Sequence, residues 1–255
     1  MKSKKLKKWT TLLTCATALT VMTACSQSSS QSTGTTSSTT SKTSVVTATT
    51  SKKTNKNNSN YFTSKDSDTS YNESSATKIK LSGSSADVSG DGAALSGSTV
   101  TISKAGTYVI SGKSDGVQIK VDAGDSDDVH IVLDGVTMTN TNAAINATKA
   151  GHVYLTLKDG TTNTLSDSSS NSDEDADAVI FSKGDLTING SGTLNIDAKK
   201  NNGIKANDSL HMTGGTYKIT SVGDAFNVND ELNLMGTTMT IEAEEDAVKV
   251  DNDDD

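Results

Sequence analysis

The stretch Asp177-Ala178-Val179-Ile180, Leu186-Thr187-Ile188-Asn189-Gly190, Thr193-Leu194-Asn195-Ile196 returns in altered form twice. It returns first as Asn202-Gly203-Ile204-Lys205, Leu210-His211-Met212-Thr213-Gly214-Gly215, Thr216-Tyr217-Lys218-Ile219. It returns again as Asp224-Ala225-Phe226-Asn227, Leu232-Asn233-Leu234-Met235-Gly236, Thr238-Met239-Thr240-Ile241, and Asp246-Ala247-Val248-Lys249 opens a further copy. Val179 and Ile204 are 25 residues apart, and the next two steps, to Phe226 and Val248, are 22 each. Each short run alternates apolar with polar residues, the period of a strand with one buried face. Gly and Asn between the runs supply the left-handed backbone conformations of tight corners. Three short strands per 22 residues predict an all-β fold, a right-handed parallel β-helix (solenoid) of about 22-residue coils. An up-and-down barrel does not require so long a period. Residues 98–165 fit the same scheme less regularly, with Asn142-Ala143-Ala144-Ile145-Asn146 as a degenerate opening.

Outside this region the composition changes. Lys2, Lys4, Lys5, Lys7 and Lys8 precede an apolar run from Trp9 to Val21, and then comes Met22-Thr23-Ala24-Cys25. A charged start, an apolar stretch too short to span a bilayer comfortably and a small residue before a possible cut mark an export signal over 1–24. The tetrapeptide resembles a bacterial lipobox, which implies that Cys25 is acylated and tethers the protein to the membrane outside the cell. An ordinary secretory signal or an uncleaved anchor is the competing reading. Residues 25–78 are rich in Ser, Thr, Asn and Lys, with too few apolar side chains to offset ordering, so a disordered linker is expected. Tyr61, Phe62 and Tyr71 within it read as isolated linker aromatics.

The remaining domain, 79–255, carries 12 Lys against 28 acidic residues, a net of −16. That charge excludes nucleic acid as a partner and calls for bound cations to relieve self-repulsion. The basic residues are all Lys, so no guanidinium fork is available for phosphate or carboxylate. With Cys15 in the signal and Cys25 lipidated, the domain has no thiol, which excludes disulfides, Cys nucleophiles and Cys-bound zinc.

Asp177, Asn202, Asp224 and Asp246 open successive copies, and adjacent strands lie about 4.8 Å apart. Stacked carboxylates repel unless a cation sits between them, and Ca²⁺ takes roughly six to eight oxygen ligands. Asp175, beside Asp173 and Glu174, can fold over the same edge; Asp251 and Asp253, with Glu244 and Glu245, form a second acidic group. Calcium is therefore the expected cofactor. Solvated corner turns, which favour Asp and Asn, are the competing reading. Lys205, Asn227 and Lys249 share one position in three copies and are the expected ligand-binding residues. A Lys there could attract a uronate carboxylate, serve as a base if its pKa were lowered, or merely neutralise nearby acids. His130, His152 and His211 show no metal-ligand spacing and read as ordinary outward strand residues; Asp125, Asp127 and Asp128 read as a solvated loop. No nucleophile elbow or phosphate-binding loop is present.

Val100-Thr101-Ile102-Ser103-Lys104-Ala105-Gly106-Thr107-Tyr108-Val109-Ile110-Ser111-Gly112 resembles the opening segment of the bacterial carbohydrate-binding β-helix family of cellulose- and polygalacturonate-binding surface proteins. So do Val132-Leu133-Asp134-Gly135-Val136, Gly160-Thr161-Thr162-Asn163-Thr164-Leu165-Ser166-Asp167 and Asn202-Gly203-Ile204-Lys205-Ala206-Asn207-Asp208. The resemblance covers about 85–255 and implies a calcium-loaded domain that binds acidic or plant-wall polysaccharide outside the cell. It extends to family nine polysaccharide lyases, in which a Lys beside calcium is the base. The domain has no Trp and few exposed aromatics, which favours an acidic glycan over crystalline cellulose. The sequence ends within a copy, at Asp251-Asn252-Asp253-Asp254-Asp255, so a chain truncated at its C-terminus is expected. The expected function is calcium-dependent binding of extracellular polysaccharide by a monomeric, lipid-anchored protein without catalysis. A calcium-dependent lyase with a Lys base, and a structural adhesin or wall spacer, are the rivals.

Overall fold

The computed structural model describes residues 44–49 and 61–251. In chain order the strands are β1 (Ser44–Thr49), β2 (Thr77–Gly83), β3 (Ser85–Ser89), β4 (Ala93–Ser96), β5 (Thr99–Ile102), β6 (Gly106–Asp115) and β7 (Gln118–Asp122). Then come β8 (Asp128–Thr139), β9 (Ile145–Lys149), β10 (His152–Leu157), β11 (Thr162–Ser166), β12 (Ala178–Ser182), β13 (Leu186–Gly190) and β14 (Thr193–Ala198). The last are β15 (Asn202–Ala206), β16 (Leu210–Thr213), β17 (Thr216–Ser221), β18 (Phe226–Val228), β19 (Leu232–Met235), β20 (Thr238–Ala243) and β21 (Lys249–Val250).

These strands form two sheets, of thirteen and eight strands. The larger forks at β8. Along its first half β8 pairs with β10, starting an arm that continues through β13, β16 and β19. Along its second half it pairs with β11, starting a second arm through β14, β17 and β20. These pairings are parallel, whereas β1 with β20 and β2 with β3 are antiparallel. The smaller sheet runs β21-β18-β15-β12-β9-β7-β5-β4 and is mixed, because β4 and β5 are antiparallel.

The fold is all-β, but it is not the right-handed parallel β-helix expected from the spacing. A β-helix would turn a corner between the second and third strands of each copy and place them on separate faces. Here β8 runs through that position as one twelve-residue strand. Its partner β6 takes up the bend with a register shift at Ser111/Gly112. Both strands of every later copy then stay in one sheet, which curls into a half-barrel closed by the mixed second sheet. The bend depends on glycine: Gly112 has φ +93, and a Cβ there would lie 2.5 Å from the Leu81 carbonyl oxygen. Gly190 has φ +98, and a Cβ would collide with the Leu157 carbonyl.

In-register pairing stacks the inward side chains into columns. Tyr108, Ile131, Leu155, Ile188, Met212 and Leu234 form one on the large sheet. Val100, Ile119, Ile145, Ile180, Ile204 and Phe226 face it from the second sheet. Apart from half-buried Leu234 these side chains are buried in one core. Each fully buried Ile, Leu or Phe contributes about 1.5–3 kcal/mol.

Candidate functional site

The residues singled out from the sequence fall at one corner and on the outward face of the second sheet. Parallel pairing aligns Phe181, Lys205, Asn227 and Lys249 in one outward column. The loop before β12 covers its upper part, where Phe181 packs with Ala143 and Ala176. Below that cover Lys205, Asn227 and Lys249 are half-buried and reach the surface.

Asn202, Asp224 and Asp246 follow one another at the corner, but Asp177 falls one residue out of the expected register, because Ala178 is the partner of Asn202; hydrogen bonds still join the four into a ladder. Asn202 Nδ2 donates to Asp177 Oδ2 at 3.3 Å, and Asn202 Oδ1 accepts the Asp224 N–H at 3.0 Å. Asp224 Oδ1 accepts the Asp246 N–H at 3.1 Å, and its Oδ2 accepts Asn227 Nδ2 at 2.9 Å. Lys205 Nζ meets Asp177 Oδ1 at 2.8 Å, with both side chains about one-fifth exposed, 21% and 23%. A shallow cavity of about 230 Å³ opens here, lined by Asp177, Asn202, Asp224, Asn227, Glu245 and Lys249 among others.

This donor set does not fit a resident Ca²⁺. The inward carboxylate oxygens are engaged by backbone N–H groups, by Asn amides and by the Lys205 ammonium, which a cation would have to displace. Among the described residues no three His, Cys, Asp or Glu side chains converge as a metal site requires. Asp175 stands apart in the covering loop, its N–H bonded to Asp173 Oδ1. Asp251 pairs with Lys249 at 3.0 Å. Asp253 and Cys25 lie outside the described residues. Lys249 is held above its ordinary pKa by its hydrogen bond to Asp251, so it is a cation rather than a base at neutral pH.

A second polar surface went unread. Residues 61–76, assigned by composition to the linker, lie across the outward face of the first arm. Asp66, in a short 3-10 turn at Lys65–Ser67, is 2% exposed. Its Oδ1 accepts Thr187 Oγ1 at 2.7 Å, and its Oδ2 accepts the Thr63 N–H and hydroxyl at 2.7 and 2.9 Å. Its carbonyl oxygen accepts Thr213 Oγ1 at 2.6 Å and Asn189 Nδ2 at 3.3 Å. Burial pushes the Asp66 carboxyl up, but Thr187, Thr63 and nearby His211 outweigh it and hold the group below the usual Asp value.

The three His line this same face. Thr156 donates to Asn189 Oδ1 at 2.6 Å, so its oxygen receives the proton from His130 Nε2 at 2.7 Å. His152 Nε2 likewise reaches Thr187 Oγ1 at 2.9 Å, and its ring stacks on Tyr154 with centroids 4.1 Å apart. Burial lowers the pKa of both His130 and His152. The rings of Phe62 and Tyr71 meet His211 and His130 edge-on, and Lys65 pairs with Asp128 while lying 4.6 Å from the Tyr154 centroid. The sequence signal was a set of outward strand positions, Thr156, Thr187, Asn189 and Thr213, filled by neutral hydrogen-bonding residues rather than charges.

Three likenesses to known proteins bear on this geometry. Residues 96–255 match the family described as carbohydrate-binding domain-containing protein. A relative of that description from Acetivibrio thermocellus is 38% identical over 135 residues, which are 51% of this chain and 47% of the relative. The chain thus spans about half the length of that relative. A solved structure, the polysaccharide lyase-like protein from C. thermocellum as a gadolinium derivative, is 26% identical with a TM-score of 0.59. That likeness covers 69% of this chain and 94% of the solved one. With well over half of its length matched by the family, the chain is a member of the carbohydrate-binding domain-containing proteins.

Proposed function

We propose that the protein binds an acidic polysaccharide outside the cell through the outward face of the second sheet, without cleaving it. The observation that carries this reading is the in-register column Lys205, Asn227 and Lys249 beside the corner cavity. Strands about 4.8 Å apart repeat a polar side chain at roughly the length of one sugar ring, so successive residues meet successive sugars. Two ammonium groups with an amide between them suit a chain of carboxylates and hydroxyls. The protonated state of Lys249 favours binding over elimination, which requires a neutral amine to take the proton. Because the ladder does not fit calcium, no binding step is routed through the metal. The domain's net charge of −16 still argues for a mobile cation atmosphere that lowers repulsion of a polyanion. Acylation of Cys25 would present the domain outside the membrane; loss of metabolic acyl label in Cys25→Ser checks that part.

The test is affinity electrophoresis of the full chain through polygalacturonate and neutral glucan gels, with and without chelator. Retention by polygalacturonate, weakened about tenfold in the Lys205→Gln/Lys249→Gln double variant under conditions where that variant is still folded, is expected. No retention by any glycan would overturn the reading, as would full retention by the double variant. Ultraviolet absorbance of an unsaturated uronide, growing during incubation, would establish the lyase instead.

A further inference from the structure

Residues 61–70 lie on the first arm in an unusual direction. Their partners His130, Tyr154, Thr187 and His211 occupy one row across β8, β10, β13 and β16. The segment therefore runs across the strands, along the stack, which is the path an extended polymer takes over an in-register sheet. It offers the sheet one carboxylate and two carbonyl oxygens, those of Asp66 and Asp68. The sheet answers with hydroxyl and amide donors from Thr187, Asn189 and Thr213. Beyond Ser67 and Thr69 the same groove continues open, about 560 Å³ in volume, over Gly190, Ser191, Thr216 and Gly236.

The footing of this segment is thin. Between Phe62 and Tyr71, Asp66 alone is buried. Tyr71 and Ala76 are the firm end, packed on Val109 and Val132. Polar contacts at an exposed strap re-form with water when it lifts, so little opposes its release except loss of the Asp66 seat.

We propose that residues 61–70 are a displaceable cover, an intramolecular occupant of a groove that, once vacated, takes a carboxylate-bearing glycan along the same path. Thr187 receives the sugar carboxylate in place of Asp66, Asn189 and Thr213 donate to ring or hydroxyl oxygens, and Tyr154 lies beneath a ring. This site is separate from the Lys205–Lys249 column, and its assignment rests on the reading that the protein binds acidic polysaccharide.

Lys65 gives the readout: its side chain is exposed, but the backbone on either side must lift from the sheet to enter the trypsin cleft, so cleavage follows the opening. Full-length protein and the Asp66→Ala variant are compared for cleavage after Lys65 and for polygalacturonate binding by calorimetry. Asp66→Ala is expected to be cut at least about tenfold faster and to bind about tenfold more tightly, and a further Thr187→Val/Asn189→Ala change should abolish the gain. Polygalacturonate should also speed cleavage of the wild type, whereas neutral glucan should not. If Asp66→Ala fails to fold, Phe62→Ala releases the strap from its other end and is held to the same outcomes. Faster cleavage without tighter binding, or protection of Lys65 by polygalacturonate, overturns the cover while leaving the column intact. Absence of binding by the wild type and every variant overturns the parent reading as well.

Discussion

The corner ladder and the strap are built from the same residue types, and they hold the chain in different ways. At the corner the side chains of Asn202 and Asp224 each bond to the residue one strand below, 22 residues on. Every bond joins neighbours that the core columns already hold together, so the ladder opens only when the stack does. On the first arm the partners of Asp66 on the sheet are 121 to 147 residues away in sequence. They tie down a segment with almost no apolar burial of its own. The lesson is that a buried carboxylate reports on global stability where its partners belong to the stacked strands. Where its partner is a remote polar strap, it reports on a local opening.

The largest effect should come from breaking the ladder. Asp224 is 3% exposed, and removing its carboxylate leaves the Asp246 N–H and the Asn227 amide without their acceptor. Asp224→Ala is expected to cost about 2–3 kcal/mol of global stability, read as a lower urea midpoint with an unchanged slope. A loss below about 1 kcal/mol would put the ladder in the same class as the strap and erase the contrast.

Thr213→Val sharpens the other side. It removes the hydroxyl that holds the Asp66 carbonyl and keeps the side-chain shape. About 1 kcal/mol should be lost, and lost locally. Amide exchange over residues 62–68 should quicken about fivefold, while the urea midpoint of the sheet stays put because the strap has lifted at lower urea. A shifted midpoint would mean that the strap unfolds only with the sheet.

These two regions differed equally in how far they could be read from the sequence. The 22-residue spacing aligned Ile204 with Phe226 and Lys205 with Asn227 and Lys249, as the pairing shows, because a constant offset becomes a constant strand-to-strand step. It could not say which strands share a sheet. That was decided by the unbroken β8 and the bend at Gly112, features outside the regular copies, and it is where the β-helix expectation failed. The expectation of calcium rests on like charges in a column, whereas an Asn stands among those carboxylates, Lys205 reaches Asp177 from the neighbouring column and the backbone supplies donors. The strap carries neither apolar period nor repeat, so composition hid it. Its partners were visible only as neutral outward residues that did not match the charged surface around them.

The smallest expected effect is in the pH dependence of the strap. His130 faces Asp68, Lys65 and Tyr71, while His152 faces Asp185, Asp66, Asp128 and His211. Burial holds both pKa values below the ordinary 6.5. The strap lies over these rings and adds to that burial, although its Asp68 and Asp66 pull the other way; the net shift favours the neutral forms. The strap's seating is undisturbed above that ordinary value and weakens as pH falls below it, since the lifted state takes up protons first. Asp66 acts lower: held below its ordinary 3.8, it supports docking above that value and withdraws support as pH falls through its docked pKa. His211 sits between two carboxylates, its ring nitrogens 3.3 Å from Asp66 and 3.1 Å from Glu231. His130 and His152 together predict a modest release in mild acid. Exchange of amides 62–68, corrected for its intrinsic pH dependence, should report more opening at about pH 5 than at about pH 7, with the core strands unchanged. Equal or lesser opening at the lower pH would show that the docked strap does not favour the neutral forms of His130 and His152.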